Sequence, residues 1–171
     1  MEQWQAYVRL ARESLTHYII EGSFIDTPSY VTEEMINNKR GVFVSLKKFG
    51  HLRGCIGTIF PVTESTSKEI MRNAVAAGEE DPRFSPVIKG ELEDIVFSVD
   101  VLTEPTPASI VELNPKLYGV VVRSGRKSGL LLPDLEGINT IDEQLGIVLN
   151  KASISPNEDY TIEKFEVIRH K

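Results

Sequence analysis

The spacing of apolar residues changes several times along this chain, from the three-to-four-residue step of an amphipathic helix to the two-residue step of a strand. Helical spacing occurs in a stripe that starts at Trp4 and in the segments 70–77 and 141–152. Strand patterns occur at 42–46, 51–58, 95–102, 118–123, 129–132 and 160–168. Because short turns connect most of these strands, the sequence predicts an α+β fold, with about three longer helices packed on a largely antiparallel sheet.

Composition narrows the class of protein. With 171 residues, of which 41% are hydrophobic, the chain can bury a substantial core, and its length predicts a single domain over residues 1–171. The formal net charge of -6 argues against a protein that binds nucleic acid by neutralising phosphates. The single cysteine and the absence of a secretory signal after Met1 predict a cytoplasmic protein, and no apolar run is long enough to span a membrane.

The only cysteine lies in a predicted strand that is rich in glycine. Side chains alternate between the two faces of a strand, which predicts that His51, Arg53 and Cys55 share one face. A guanidinium near a thiol favours the reactive thiolate, and Gly54 leaves room above the backbone. Cys55 is therefore a candidate catalytic nucleophile, and His51, Arg53 and Gly54 are candidate binding residues. The alternative is that Cys55 is a small buried core residue, as free cysteines usually are.

Two further candidate binding residues, Asp81 and Arg83, lie in the loop 78–86. Two prolines in this loop restrict the backbone, and stiff loops often carry ligand contacts. One interpretation is that the loop holds Asp81 and Arg83 at the Cys55 site. The other is that the loop is a structural corner, in which the two charges pair with each other or cap the preceding helix.

The sequence lacks the motifs of several other kinds of functional site. The three isolated histidines (His17, His51 and His170) and one cysteine do not have the spacing of a zinc or iron–sulfur site, so no metal is predicted. The turn 124–128 lacks the phosphate-loop spacing, and neither a dinucleotide-binding glycine motif nor a Gly-x-Ser-x-Gly elbow is present. The sequence therefore predicts no cofactor.

Four motifs together resemble one protein family. GVFVSLKK at 41–48, LRGCIGT at 52–58, DPRF at 81–84 and GLLLPDLEG at 129–137 are similar, in this order, to the AMMECR family, and the resemblance covers nearly the whole chain. The chain most resembles the bacterial branch called AmmeMemoRadiSam system protein A. This resemblance implies an α+β fold of two unequal lobes in one compact unit. It also implies two partners, a Memo-like protein related to extradiol dioxygenases and a radical-SAM protein, encoded or fused nearby.

Two functions are compatible with these observations. In the first, the chain is a binding or accessory subunit of a modification system with the Memo-like and radical-SAM proteins, because it lacks a complete catalytic constellation. In the second, the chain is an enzyme that uses Cys55 as nucleophile or redox centre. Its substrate is then a small anion held by the forked guanidinium groups of Arg53 and Arg83. The site residues are the same in both.

Overall fold

The computed structural model describes residues 3–171, and side chains from residue 5 onward. The described residues do not include Met1, the residue after which the sequence predicts no secretory signal. The side chain of Trp4 also lies outside them. Four α-helices are present among residues 3–171: α1 Gln3–Glu21, α2 Glu33–Asn37, α3 Thr66–Glu79 and α4 Ile141–Lys151. Short 3₁₀-helices cover Lys89–Asp94 and Ile110–Glu112. Three of the α-helices are long, as the apolar spacing predicts.

Eight strands complete the described part of the chain. They are β1 Val42–Lys48, β2 His51–Thr58, β3 Ile95–Leu102, β4 Thr106–Pro107, β5 Gly119–Ser124, β6 Lys127–Leu131, β7 Thr161–Phe165 and β8 Val167–His170. They form two four-stranded sheets in the orders β2-β1-β3-β8 and β4-β7-β5-β6. The β1–β2, β1–β3, β4–β7, β5–β6 and β5–β7 pairs are antiparallel. The α+β class is confirmed, with the strands divided between two sheets.

The chain divides into two compact units of unequal size. The larger unit consists of Met1–Leu102 and Ile168–Lys171, and the smaller unit consists of Thr103–Val167. The larger unit contains α1, α2, α3 and the sheet that includes β2. All of the predicted site residues therefore belong to the larger unit.

Short polar residues determine where the helices begin. Thr32, Ser65 and Thr140 precede α2, α3 and α4, and each hydroxyl oxygen accepts a backbone N–H from the first turn of its helix. At the other end of α1, Gly22 has a φ of 73° and donates its N–H to the Tyr18 carbonyl. This left-handed glycine ends the helix.

The core of the larger unit lies between its sheet and the helices α1 and α3. Alternate residues of β1, namely Val42, Val44 and Leu46, are fully buried on the helix side of the sheet. Gly54 of β2 also faces α3, because a Cβ at this position would overlap the Ala77 carbonyl oxygen. Gly54 thus permits close packing of the strand against the helix. The smaller unit has its own core, in which α4 packs against β5 and β6.

Candidate functional site

The hairpin that carries Cys55 contains a β-bulge. Leu46 of β1 pairs with Gly54, whereas the next residue of β1, Lys47, pairs with Leu52. Arg53 is therefore an extra residue between two consecutive pairs. The regular alternation of side chains along β2 shifts at this position.

The bulge separates residues that the sequence predicts to share one face. Paired residues of antiparallel strands project to the same face, and Cys55 pairs with Ser45 whereas His51 pairs with Lys48. Because Ser45 and Lys48 are three residues apart on β1, their side chains project to opposite faces. The prediction that His51, Arg53 and Cys55 line one surface is therefore wrong, since it assumes an uninterrupted strand.

Arg53 binds a carboxylate that the sequence analysis does not identify. Its Nε and Nη2 each lie 3.0 Å from an oxygen of Glu91, and Lys48 Nζ lies 3.0 Å from Glu91 Oε1. The Arg53 guanidinium, helped by the Ile88 N–H and by Lys48, lowers the pKa of Glu91 to about 2 against the opposing effect of burial. Two cations thus converge on one acid, and the Arg53 guanidinium faces Glu91.

The loop 78–86 meets the Cys55 strand at its backbone. The Cys55 N–H donates to Oδ2 of Asp81 at 2.9 Å, and Nη2 of Arg83 lies 3.4 Å from the Cys55 carbonyl oxygen. Asp81 and Arg83 also form an ion pair, with 2.8 Å between Oδ2 and Nη2. β2 is an edge strand of its sheet, so these two side chains occupy backbone groups that a neighbouring strand would otherwise bind. Both interpretations of the loop therefore apply, because its two charges pair with each other and both also contact the Cys55 backbone.

The two members of this pair differ in exposure. The Asp81 side chain is 2% exposed and the Arg83 side chain 56% exposed. Hydrogen bonds from the Arg83 side chain, followed by those from the backbone N–H groups of Cys55 and Arg83, hold the pKa of Asp81 well below its usual range despite burial. Asp81 is therefore ionised at neutral pH, and Arg83 presents a solvent-exposed cation beside the Cys55 backbone.

The Cys55 thiol projects from the sheet face opposite α3. Its Sγ lies 3.3 Å from Oγ of Ser45, and Ser45 pairs with Ser98 on β3. These three residues are half-buried, so the thiol belongs neither to the buried core nor to the fully exposed surface. In the next row of the sheet, Leu52 and Val96 are exposed. This face can therefore offer a thiol and hydroxyl groups to a ligand or a protein, with apolar contacts beside them.

One buried acid at the end of β2 is not identified by the sequence analysis. Glu69 of α3 is 0% exposed and accepts hydrogen bonds from the Thr58 hydroxyl and from the backbone of Val62 and Thr63. The detectable signal is its four-residue spacing from Asn73, since this spacing puts both polar side chains on the buried face of α3. Asn73 in turn donates to Thr58 Oγ1 at 3.0 Å.

A groove of about 650 Å³ lies between α1 and the segment 25–28 of the larger unit. Its lining includes Glu13, His17 and Asp26, and none of the predicted site residues. Among the described residues, no three His, Cys, Asp or Glu side chains are arranged to hold a metal ion. Within residues 3–171, no helix has the length and apolar character needed to cross a bilayer.

Comparison with known proteins identifies relatives over nearly the full length of the chain. The family model described as AMMECR1 matches residues 8–170. A protein of Thermotoga maritima is 46% identical over 168 residues, which cover 96% of this chain and 97% of that protein. A protein of Clostridium acetobutylicum is 66% identical over 166 residues, which cover 96% of this chain and 36% of that protein. The chain thus spans about a third of the Clostridium relative and nearly all of the Thermotoga relative.

A solved structure shares the fold. The crystal structure of an uncharacterised protein from Pyrococcus horikoshii has a TM-score of 0.78 to this chain, with 30% sequence identity. The match covers 99% of this chain and 91% of the Pyrococcus chain. The similarity in sequence is therefore accompanied by similarity in architecture.

Proposed function

Because the chain belongs to the AMMECR1 family, we propose that it acts as a binding or accessory subunit, with its site around the 52–58 strand. We assign it to the AmmeMemoRadiSam system protein A branch. Its partners are then a Memo-like protein and a radical-SAM protein of one modification system. This assignment rests on the motifs at 41–48, 52–58, 81–84 and 129–137.

The pairing of charges around Cys55 carries this proposal. Arg53 is held by Glu91, and Asp81 is held by Arg83 and the Cys55 N–H. A thiol used as nucleophile is activated by an adjacent base or cation. Here these charges bind one another and the backbone, which builds a defined surface around the thiol. A surface of this kind supports recognition of a partner more directly than turnover of a substrate.

The length of the Clostridium acetobutylicum relative supports a function that involves a second protein or domain. The part similar to this chain makes up 36% of that protein, so most of the relative lies outside the match. Covalent linkage keeps two interacting parts at a high effective concentration. In that relative, the part similar to this chain is therefore held close to the rest of the polypeptide.

Co-purification tests the proposed partners. The full chain is co-expressed with a Memo-like protein and a radical-SAM protein from the same genome and isolated under mild conditions. We expect stoichiometric recovery of at least one partner, and at least tenfold lower recovery with Val96→Glu, which puts a charge on the exposed face beside Cys55. Val111→Glu, in the smaller unit, serves as the matched control. Failure to recover either partner contradicts the proposal.

The second candidate function is catalysis by Cys55 on a small anionic substrate. The half-buried thiol beside Ser45 favours it, together with the exposed guanidinium of Arg83 at the Cys55 carbonyl. In this function Arg83 holds the anion, because guanidinium groups suit carboxylate and phosphate geometry. His51 and Arg53 act only through the conformation of the hairpin.

Alkylation by iodoacetamide across pH tests the catalytic candidate. A catalytic thiolate reacts quickly in the folded protein and titrates well below about 8.5, the ordinary value for cysteine. The unfolded protein supplies the reference rate. A thiol that reacts only after unfolding excludes a nucleophilic role for Cys55 and leaves the binding function.

The proposed setting is the cytoplasm, with residues 1–171 acting as one AMMECR-type domain. The single cysteine supports a reducing compartment. The net charge of -6 supports protein or small-molecule partners over nucleic acid. The proposal includes no metal and no cofactor in this chain.

A further inference from the structure

The groove beside α1 has the size of a small-molecule site. Its volume of about 650 Å³ falls within the range of roughly 300 to 1,000 Å³ that is typical of ligand pockets. The opposite wall is the segment 25–28, which follows α1 in the chain. The wall on the helix consists of two neighbouring rows with a four-residue step, namely Arg12, Thr16 and Ile20, and Glu13, His17 and Glu21.

Contacts on both sides of the segment 25–28 fix it beside the helix. Before it, the left-handed Gly22 ends α1 and reverses the chain. After it, the Tyr30 hydroxyl donates to Oε2 of Glu13 at 2.7 Å, and Arg9 Nε lies 2.7 Å from Oε1 of the same acid. Ile25, within the segment, packs against the core of the larger unit. The groove is therefore formed without a ligand, as most small-molecule sites are.

One wall of the groove carries a cation that only neutral groups hold. Arg12 donates from Nη2 to the Ile95 carbonyl at 2.7 Å and from Nη1 to the Leu92 carbonyl at 3.2 Å. Its Cζ lies 4.8 Å from the centroid of the Phe97 ring. Among the side chains of residues 5–171, no carboxylate forms an ion pair with Arg12, and the adjacent Glu13 is bound by two other side chains. Because a guanidinium has five N–H donors, Arg12 keeps donors for an anion.

The groove also carries two acids that are not paired. Glu21 lies on the same helix as Arg12, about 13 Å further along the axis at a rise of about 1.5 Å per residue. Asp26 lies on the opposite wall. Both acids are exposed, and within the described part of the chain neither has an ion-pair partner. Ile20 and Ile25 add apolar surface to the same groove. The lining therefore combines opposite charges with apolar surface.

We propose that this groove binds a small zwitterion in which an apolar chain separates a carboxylate from an amine. The carboxylate binds Arg12, because guanidinium groups suit carboxylate geometry, and the amine binds Asp26 and Glu21. An α-amino acid such as glycine is too compact, since its two charged groups are attached to one carbon. A purely anionic ligand would be repelled by the two acids, and a purely cationic ligand by Arg12. This site is separate from the proposed binding surface around Cys55.

Titration of the full, ¹⁵N-labelled chain by NMR tests the proposal, with 6-aminohexanoate as the probe. We expect saturable shifts of the backbone amides of Thr16, Ile20 and Thr27, which line the groove. Hexanoate lacks the amine, hexylamine lacks the carboxylate, and glycine lacks the apolar chain. Each of these three compounds is expected to bind at least fivefold more weakly than 6-aminohexanoate.

Charge-removing variants assign the two ends of the ligand. Asp26→Asn combined with Glu21→Gln should raise the Kd of 6-aminohexanoate at least fivefold without weakening the binding of hexanoate. Arg12→Gln, which keeps an amide that can donate to backbone carbonyls, should raise the same Kd at least fivefold without weakening the binding of hexylamine. Glu93→Gln removes an exposed acid outside the groove and should leave the Kd unchanged. Thermal melting shows which variants remain folded.

Three results would overturn the proposal. The first is the absence of saturable shifts at the groove amides with 6-aminohexanoate. The second is an equal Kd for 6-aminohexanoate and for one of its analogues with a single charge, because the groove would then recognise one charge only. The third is wild-type affinity in the variant that lacks both acids. These acids lie on exposed positions, so this variant decides the matter even if Arg12→Gln does not fold.

Discussion

At the scale of single residues, Glu91 shows how one side chain organises the segment next to the candidate site. It accepts hydrogen bonds from Arg53, Lys48 and the backbone N–H of Ile88. Its side chain is 16% exposed, so water screens these contacts only partly. The carboxylate joins two positions of the β1–β2 hairpin to the segment before β3, and its ionisation should therefore affect the stability of the larger unit.

The stability of the protein should depend on Glu91 in acid. Its pKa is lowered from 4.5 to about 2 on folding, so its contribution is fully present above pH 4.5 and is lost as the pH falls towards 2. This shift corresponds to at most about 3 kcal/mol. Glu91→Gln should lower the free energy of unfolding at pH 7 and lose less stability than the wild type between pH 5 and pH 2, measured by urea denaturation. Exposed Glu93→Gln is the control, and parallel pH profiles for wild type and Glu91→Gln contradict the prediction.

Residues at the site were predictable in part. One of the two interpretations of the stiff loop puts Asp81 and Arg83 at the Cys55 site, and the structure brings both residues to the Cys55 backbone. The predicted alternative that these two charges pair with each other is confirmed. The positions of His51 and Arg53 were not predictable, because a bulge depends on how two strands align and leaves no mark in either strand alone. The functional roles of these residues stay predictions.

At the scale of elements, the exposed edge of β2 is closed by side chains. An unpaired edge strand offers its N–H and C=O groups to other chains, and proteins commonly block such edges. In this molecule the Asp81 carboxylate and the Arg83 guanidinium occupy the N–H and C=O of Cys55. The loop 78–86 therefore protects the strand in the middle of its length.

Removal of Asp81 should open this edge. Asp81→Ala leaves the Cys55 N–H without its acceptor and Arg83 without its ion-pair partner, and we expect a loss of about 2 kcal/mol of stability. Faster hydrogen exchange at the Cys55 amide and concentration-dependent aggregation should accompany the loss. Glu93→Ala, which removes an exposed carboxylate, provides the comparison. Wild-type amide exchange at Cys55 in the Asp81 variant excludes the proposed protection.

Elements were more predictable than residues because their signals are local. Short polar residues next to apolar stripes are a local signal of where helices begin, and Ser65 and Thr140 have this position before α3 and α4. The turn between β5 and β6 follows from its glycine and polar residues. The hydrogen bonds of Glu69 could not be predicted from the sequence, because its partners include the backbone of a loop. Helical spacing does not encode the conformation of a loop.

At the scale of the whole molecule, the fold class was predictable and the grouping of strands was not. Helix and strand periods predict α+β, and the structure confirms it. The division into two four-stranded sheets depends on contacts between distant segments, such as β8 beside β3 and β4 beside β7. Such pairings are decided by tertiary packing. The single domain over residues 1–171 stays a prediction, and the two compact units agree with the unequal lobes that the family resemblance implies.

The fixation of the loop after β2 by Glu69 has a kinetic consequence. The Val62 and Thr63 amides can exchange with solvent only when the loop leaves the buried carboxylate, so the rate of this local opening should limit their exchange. Because the opening would leave Glu69 as a buried charge without these donors, it should be rare. A side chain that does not reach the surface would thereby set the timescale on which a surface loop moves.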